Sequence, residues 1–397
     1  MEKKIDLYLL SIPFLLFMAG FQLFGRTTIY FGFMIIPIAY VLLKKRCFKI
    51  TLEHNLIVFF CIFYILFGIN NKLDYKRIIV DSIMYITAYI AGYLGSQFSQ
   101  NRNKSLKIYM YSISIGLLIH GYLNYLNTIN VGTTYAQLLI DIWTKTIVPS
   151  TQVTSWFLPS IALFIYLLNS NKKNINIIEK IYILISIGIM LVVNFNVAAR
   201  TNIIILAFIV LSYIILKIVN ILKQNSINYN TIIKVLILVI IIISVCIFYN
   251  HLIIEYISII KDTPLFNRVT ELGDNALIND PRVYRQIYFI MNFTKNLWGG
   301  YYFKNSIGAM HNLWMDTYDS VGIIPFVILI LYTISIIINL LNLYKNKQII
   351  KESKIMLLGV YIVFMILFMT EPILESGPLM FAFFIFINGF VSGITRQ

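Results

Sequence analysis

The chain has 397 residues, 59% of them apolar and only 12% charged, with a formal net charge of +15 at neutral pH. Soluble domains carry about 25% charged residues, so a water-soluble protein is excluded and most of the apolar surface must face lipid. The basic excess does not point to nucleic acid, because the lysines and arginines fall in short clusters between apolar runs, where they serve as juxtamembrane anchors.

The predicted elements, in chain order, begin with MEKKIDLYLLSIPFLLFMAGF. It has the basic flank and apolar core of a signal sequence but no small-x-small cleavage site, so it is expected to be an uncleaved first span. Apolar runs of about 17 to 25 residues, the length that crosses roughly 30 Å of hydrocarbon, predict twelve spans. They lie at 7–24, 28–43, 55–70, 77–98, 106–126, 152–169, 179–198, 202–222, 232–250, 321–343, 354–370 and 377–394. None shows the alternating period of a barrel strand, so the expected fold is an all-α polytopic membrane protein. It is read as one integrated membrane domain: spans one to nine in 1–250, one large loop containing short helices in 251–320, and three spans in 321–397. One alternating set of loops holds most of the 32 basic residues, KKRCFK at 44–49 and YKNKQIIKESK at 344–354 among them. Both termini are therefore expected in the cytoplasm and 251–320 outside it. Cys47, Cys61 and Cys246 form no CxxC and no zinc spacing, so cysteine chemistry and a metal site are not expected.

Ionisable residues inside an apolar bundle are costly, and each is a functional candidate by default. With this orientation Arg26, Asp81, His120, Arg200, His251, Glu371 and Glu375 all fall in the outer half, so the chemistry is expected to face outward. Arg26, Lys76 and Arg77 also suit snorkelling to the interface, Asp81 suits an i,i+4 pair with Arg77, and His120 suits a hydrogen bond in helix packing. Arg200, in NFNVAARTNIIILAF, sits on a short outer turn at a helix start, where five fixed donors match a phosphate or diphosphate. In the loop, NDPRVYRQIYFIMNFTKNLWGG predicts a helix with Asp280 as N-cap, Pro281 first, Val283, Ile287, Ile290 and Met291 at helical spacing, and Gly299–Gly300 as the stop. Arg282 and Arg285, three apart, would share one face as an anion clamp, or stand as solvated surface arginines. The surrounding aromatics, Tyr288 and Trp298 among them, suit either an interfacial belt or a platform for sugar rings and lipid.

ARTNIIILAF from Ala199, DPRVYRQIYF leading to WGGYYF, AMHNLWMDTYDSVGIIPF and EPILESGPLMFAFFIFINGF stand in that order over roughly residues 190 to 395. In this order and spacing they resemble the O-antigen ligase and polymerase family of bacterial surface polysaccharide assembly. The chain departs from that pattern at Ala199, where a serine is common, and at Tyr288, where a tryptophan is common.

The resemblance implies a metal-independent glycosyltransferase with no cofactor, working on the outer face of the bacterial cytoplasmic membrane. It would move a glycan chain carried on a polyprenyl diphosphate, at its anomeric carbon, onto an acceptor hydroxyl. Such a donor already has an activated leaving group, so the protein must mainly neutralise the diphosphate and orient the sugars. Arg200 and Arg282 would do the former beside Arg285, while His311 would contact the acceptor hydroxyl, as base or hydrogen-bond acceptor, or the diphosphate near the attack point, with Asn312 and Asp316 as orienters. Tyr288, Trp314 and Glu371 complete the expected substrate-binding set. The implied partners are membrane lipid, a flippase and a chain-length regulator, with no nucleic acid. Short basic inner loops and the Asn/Ile/Lys bias suit a low-GC bacterium making capsule or exopolysaccharide, which favours polymerase over ligase. A lipid-linked oligosaccharide flippase stays open as the alternative; a transporter would place charges or broken helices near the midplane.

Overall fold

The computed structural model describes residues 2–45, 49–99, 101–131, 138–169, 175–197, 199, 201–203, 205–210, 213–214, 281–347 and 349–395. The first half contains helices α1 (Glu2–Phe21), α2 (Thr27–Lys45), α3 (Leu52–Asn70), α4 (Tyr75–Phe98) and α5 (Arg102–Asn130). An antiparallel hairpin follows, β1 (Leu138–Ile140) with β2 (Ile147–Pro149), then α6 (Ser150–Trp156), α7 (Leu158–Asn169) and α8 (Ile177–Asn196). Residues 281 to 321 carry three short helices, α9 (Pro281–Met291), α10 (Tyr302–Ile307) and α11 (Leu313–Val321). The chain then runs through α12 (Ile323–Lys345), α13 (Lys351–Thr370), the single turn α14 (Ile373–Ser376) and α15 (Pro378–Thr395).

Among the described residues, seven helices, α3, α4, α5, α8, α12, α13 and α15, are long and apolar enough to cross a membrane. The predicted spans 7–24, 28–43, 152–169 and 202–222 correspond to shorter apolar helical stretches, and 232–250 lies outside the described residues. The 152–169 run breaks at Phe157 into α6 and α7, because Pro159 in the first turn of α7 has no N–H with which to continue the preceding helix. The hairpin was not expected; its strands are three residues each and show no usable period.

The centre of the bundle is the pair α4 and α15. A Cβ on Gly92 would lie 1.9 Å from the Phe386 carbonyl oxygen, and one on Gly389 would lie 2.1 Å from that of Tyr89, so glycine lets the two backbones touch. Polar groups also gather inside the bundle, which the sequence reading placed only outside. Tyr361 donates to Asn388 at 2.6 Å, Asn388 to the Tyr332 hydroxyl at 3.1 Å, and Ser392 joins Asn339 at 3.0 Å to the buried Glu53 at 3.4 Å. Each bond satisfies a group that would otherwise be stranded in an apolar interior.

Candidate functional site

The site is organised by the turn between α13 and α15. Helix α13 ends at Glu371 because Pro372 disfavours helical geometry in the residue before it, and Glu371 is extended with φ −137°. Its side chain turns inward and is 1% exposed. Three groups from distant parts of the sequence meet that carboxylate. Arg282 Nη2 lies 3.6 Å from Oε1, His311 Nδ1 lies 3.7 Å from Oε2, and the Thr201 hydroxyl donates to Oε1 at 3.3 Å. A buried carboxylate without such partners would cost several kcal/mol, so these three groups are what make its position tolerable.

The loop helices bring the cations there through their own small core of Phe289, Phe303, Met310 and Tyr318. Phe293 stacks on Tyr318 with centroids 4.4 Å apart, and the Tyr318 hydroxyl donates to the Phe293 carbonyl. That contact ends α9 at Met291, well before the glycine pair expected to stop it, with Asn292 turning back to bond the Tyr288 carbonyl at 2.8 Å. Arg282 and Arg285 share the inward face of α9 with Phe289, one turn further on. Arg285 Nη1 donates to the Ala309 carbonyl at 3.1 Å. Its guanidinium lies against Gly308, whose φ of +90° and the 3.0 Å that a Cβ would leave to Nη2 both require glycine.

His311 occupies the left-handed region with φ 51°, a conformation costing about 1 kcal/mol or more for a side-chain-bearing residue. Asn312 then caps α11, accepting from the N–H groups of Trp314 at 3.1 Å and Met315 at 3.2 Å. The kink at His311 and the cap at Asn312 together aim the imidazole at Glu371. Because the carboxylate faces Nδ1, it favours the tautomer with the proton there and leaves Nε2 able to accept one. The 3.7 Å separation is longer than a hydrogen bond.

The structure therefore gathers Arg282, His311 and Glu371, with Arg285 one turn further along α9. The others fall elsewhere. The Asn312 oxygen is committed to the helix cap. Trp314 is a structural anchor, its indole donating to Thr333 on α12 at 3.0 Å. Tyr288 packs on the loop core beside Phe303. Arg200, His251 and Asp280 lie outside the described residues.

Asp316 belongs to a second cluster on the same turn, one that the sequence reading missed. Glu375 pairs with Lys304, whose ammonium also lies 4.5 Å from the Tyr301 ring centre. Asp316 is buried beside them; burial, then the nearby Glu375 and Asp319 carboxylates, push its carboxyl well above the usual range against the opposing pull of Lys304. Asp319 caps α10, accepting from the N–H groups of Phe303 and Lys304 at 2.8 Å each. Arg77, read as a snorkelling residue, reaches the turn instead: its guanidinium donates to the carbonyls of Leu374 and Glu375 and lies 3.6 Å from Asp81. The four-residue interval between Glu371 and Glu375 in EPILES was the one available signal for a two-acid hub. Among the described residues, no three His, Cys, Asp or Glu side chains gather as a metal ion would require.

His120 is buried away from this turn, as a helix-packing residue would be. Its Nε2 lies 3.3 Å from Asp141 in the hairpin and 3.0 Å from Asn124. Burial pushes the Asp141 carboxyl up, but hydrogen bonds from His120 and the Thr144 and Trp143 N–H groups outweigh it and hold the group below the usual carboxylate range.

Comparison with protein-family models and with curated proteins returns no match for the chain. The functional reading rests on the chemistry of the site and on the order of the motifs.

Proposed function

We propose that the chain is a metal-independent glycosyltransferase of the bacterial cytoplasmic membrane, with about twelve spans, both termini in the cytoplasm and the loop of 251–320 outside. In this reading it is a polysaccharide polymerase that transfers a polyprenyl-diphosphate-linked glycan onto the acceptor sugar of another lipid-linked repeat unit. The observation that supports it is the meeting of Arg282, His311 and Thr201 on the single buried carboxylate of Glu371. Glu371 orients His311, whose Nε2 accepts the proton of the acceptor hydroxyl as that oxygen attacks the anomeric carbon. The bond from that carbon to the diphosphate breaks, and the polyprenyl diphosphate leaves carrying the electron pair. Arg282, Arg285 and, by the resemblance, Arg200 offset the charge that develops on it. The ligase of the same family uses the same step with a different acceptor.

The alternative is a flippase, and the buried polar chain from Tyr361 through Asn388 to Tyr332 is the feature that favours it. The test is the surface-glycan profile of a deletion strain complemented with wild type or His311→Ala, beside a blot for membrane abundance. Accumulated single repeat units at normal protein level are the expected result. Full-length polymer from His311→Ala sinks the role of His311, and lipid-linked units held on the cytoplasmic side in the deletion strain favour the flippase.

A further inference from the structure

Helix α9 divides sharply around its axis. Arg282, Arg285 and Phe289 face inward, whereas Val283, Tyr284, Ile287, Ile290 and Met291 recur at helical spacing on the opposite arc and are exposed. Tyr284 is 59%, Ile290 66% and Met291 78% exposed, values that place a wholly apolar stripe on the surface of the molecule. The stripe is continuous with a surface that must meet lipid. Beyond the end of α9, Trp298, itself 61% exposed, stacks on Phe67 near the outer end of α3 at 6.1 Å and 7°. Asn71, just past the same span, donates to the carbonyls of Trp298 at 2.8 Å and Ser320 at 3.0 Å, and the Ile323 N–H that opens α12 donates to Leu297 at 2.9 Å. The exposed side chains of α3 below that junction, Leu66 and Ile69, are apolar and belong to a membrane-crossing helix.

We infer that α9 is an interfacial helix, lying in the outer leaflet with its apolar stripe among the acyl chains and the tryptophan at the headgroup boundary. The occupant of the stripe is the bilayer itself. An amphipathic helix so placed holds its opposite face at headgroup level, the depth at which the phosphates of any lipid-attached donor sit. Arg282 and Arg285 therefore meet the diphosphate of a membrane-anchored substrate from beneath the water layer. Which leaflet the helix occupies and this last assignment rest on the proposed function; that the helix lies in the membrane interface does not.

The test uses the full-length protein without its native cysteines, in nanodiscs of mixed phosphatidylglycerol and phosphatidylethanolamine. Nitroxide labels on Ile287→Cys, Ile290→Cys and Met291→Cys are compared with one on the exposed loop residue Asn305→Cys. The expected result is an oxygen-to-nickel-chelate accessibility ratio several-fold higher at the three stripe positions. Nickel access equal to that at Asn305→Cys places the stripe in water, and loss of both collisions places it under protein; either overturns the inference. A second readout needs no cysteine. Lipids brominated near the headgroup should quench a component of the tryptophan fluorescence that disappears in Trp298→Phe, and equal quenching in both proteins counts against the placement. Neither measurement involves substrate, so a failed glycan assay and a failed depth assay are separable.

Discussion

Glu371 holds a guanidinium and an imidazole that come from residues far apart in the chain, and its replacement has a graded outcome. Glu371→Gln keeps the shape and one acceptor while removing the charge, so polymer synthesis should fall about 10- to 100-fold at unchanged membrane abundance. Arg282→Lys should restore less than roughly a tenth of wild-type polymer, because a forked contact becomes a point charge. Chain-length profiles of the two strains check both, and normal polymer from Arg282→Lys removes the diphosphate role from that residue. His311, Arg282 and Glu371 were each legible as candidates because ionisable groups are rare in so apolar a chain. Their meeting was not, since it depends on how α9, α11 and α13 pack. Asn312 was misread for a related reason: a short polar side chain ahead of an apolar run serves a helix end as readily as a ligand, and here its oxygen takes two backbone N–H groups.

At the level of elements, the hairpin between α5 and α6 is held by Asp141. Its folded carboxyl titrates below the ordinary value of about 3.9, so the stability it contributes is present above that pH and is lost as pH falls below it towards the folded value. The expected outcome is a melting temperature in detergent that drops more steeply between about pH 4 and pH 2 for wild type than for Asp141→Asn. Parallel curves for the two proteins would show that the carboxylate is not what ties the hairpin to His120. Helix α9 shows the limit of pattern reading at this scale. The period of Val283, Ile287 and Ile290 announces the apolar face of a helix described from Pro281 to Met291. It says nothing of what covers that face, and the stop was missed because the Phe293 contact with Tyr318 is tertiary. The long spans were legible to within a few residues because lipid imposes one length and one composition on them.

For the molecule as a whole, the arrangement implies opposite faces for two exposed positions. In a cysteine-free background, Asn305→Cys should react with a membrane-impermeant maleimide on intact cells, and Lys347→Cys should react only after permeabilisation. Reaction of Lys347→Cys on intact cells would invert the orientation read from the basic loops. The same frame sets how the site can accommodate its load. Helix α15 is almost entirely enclosed, its backbone touches α4 at Gly92 and Gly389, and Arg77 at the top of α4 grips the turn that carries Glu371 and Glu375. One jaw of the site is thus bolted through the full depth of the protein. The opposing jaw, on the inference drawn above, is a two-sided helix resting on the bilayer. On the proposed function, a growing sugar chain of changing bulk would be admitted by the jaw that floats, and the fluidity and thickness of the surrounding membrane would then set how wide the site opens.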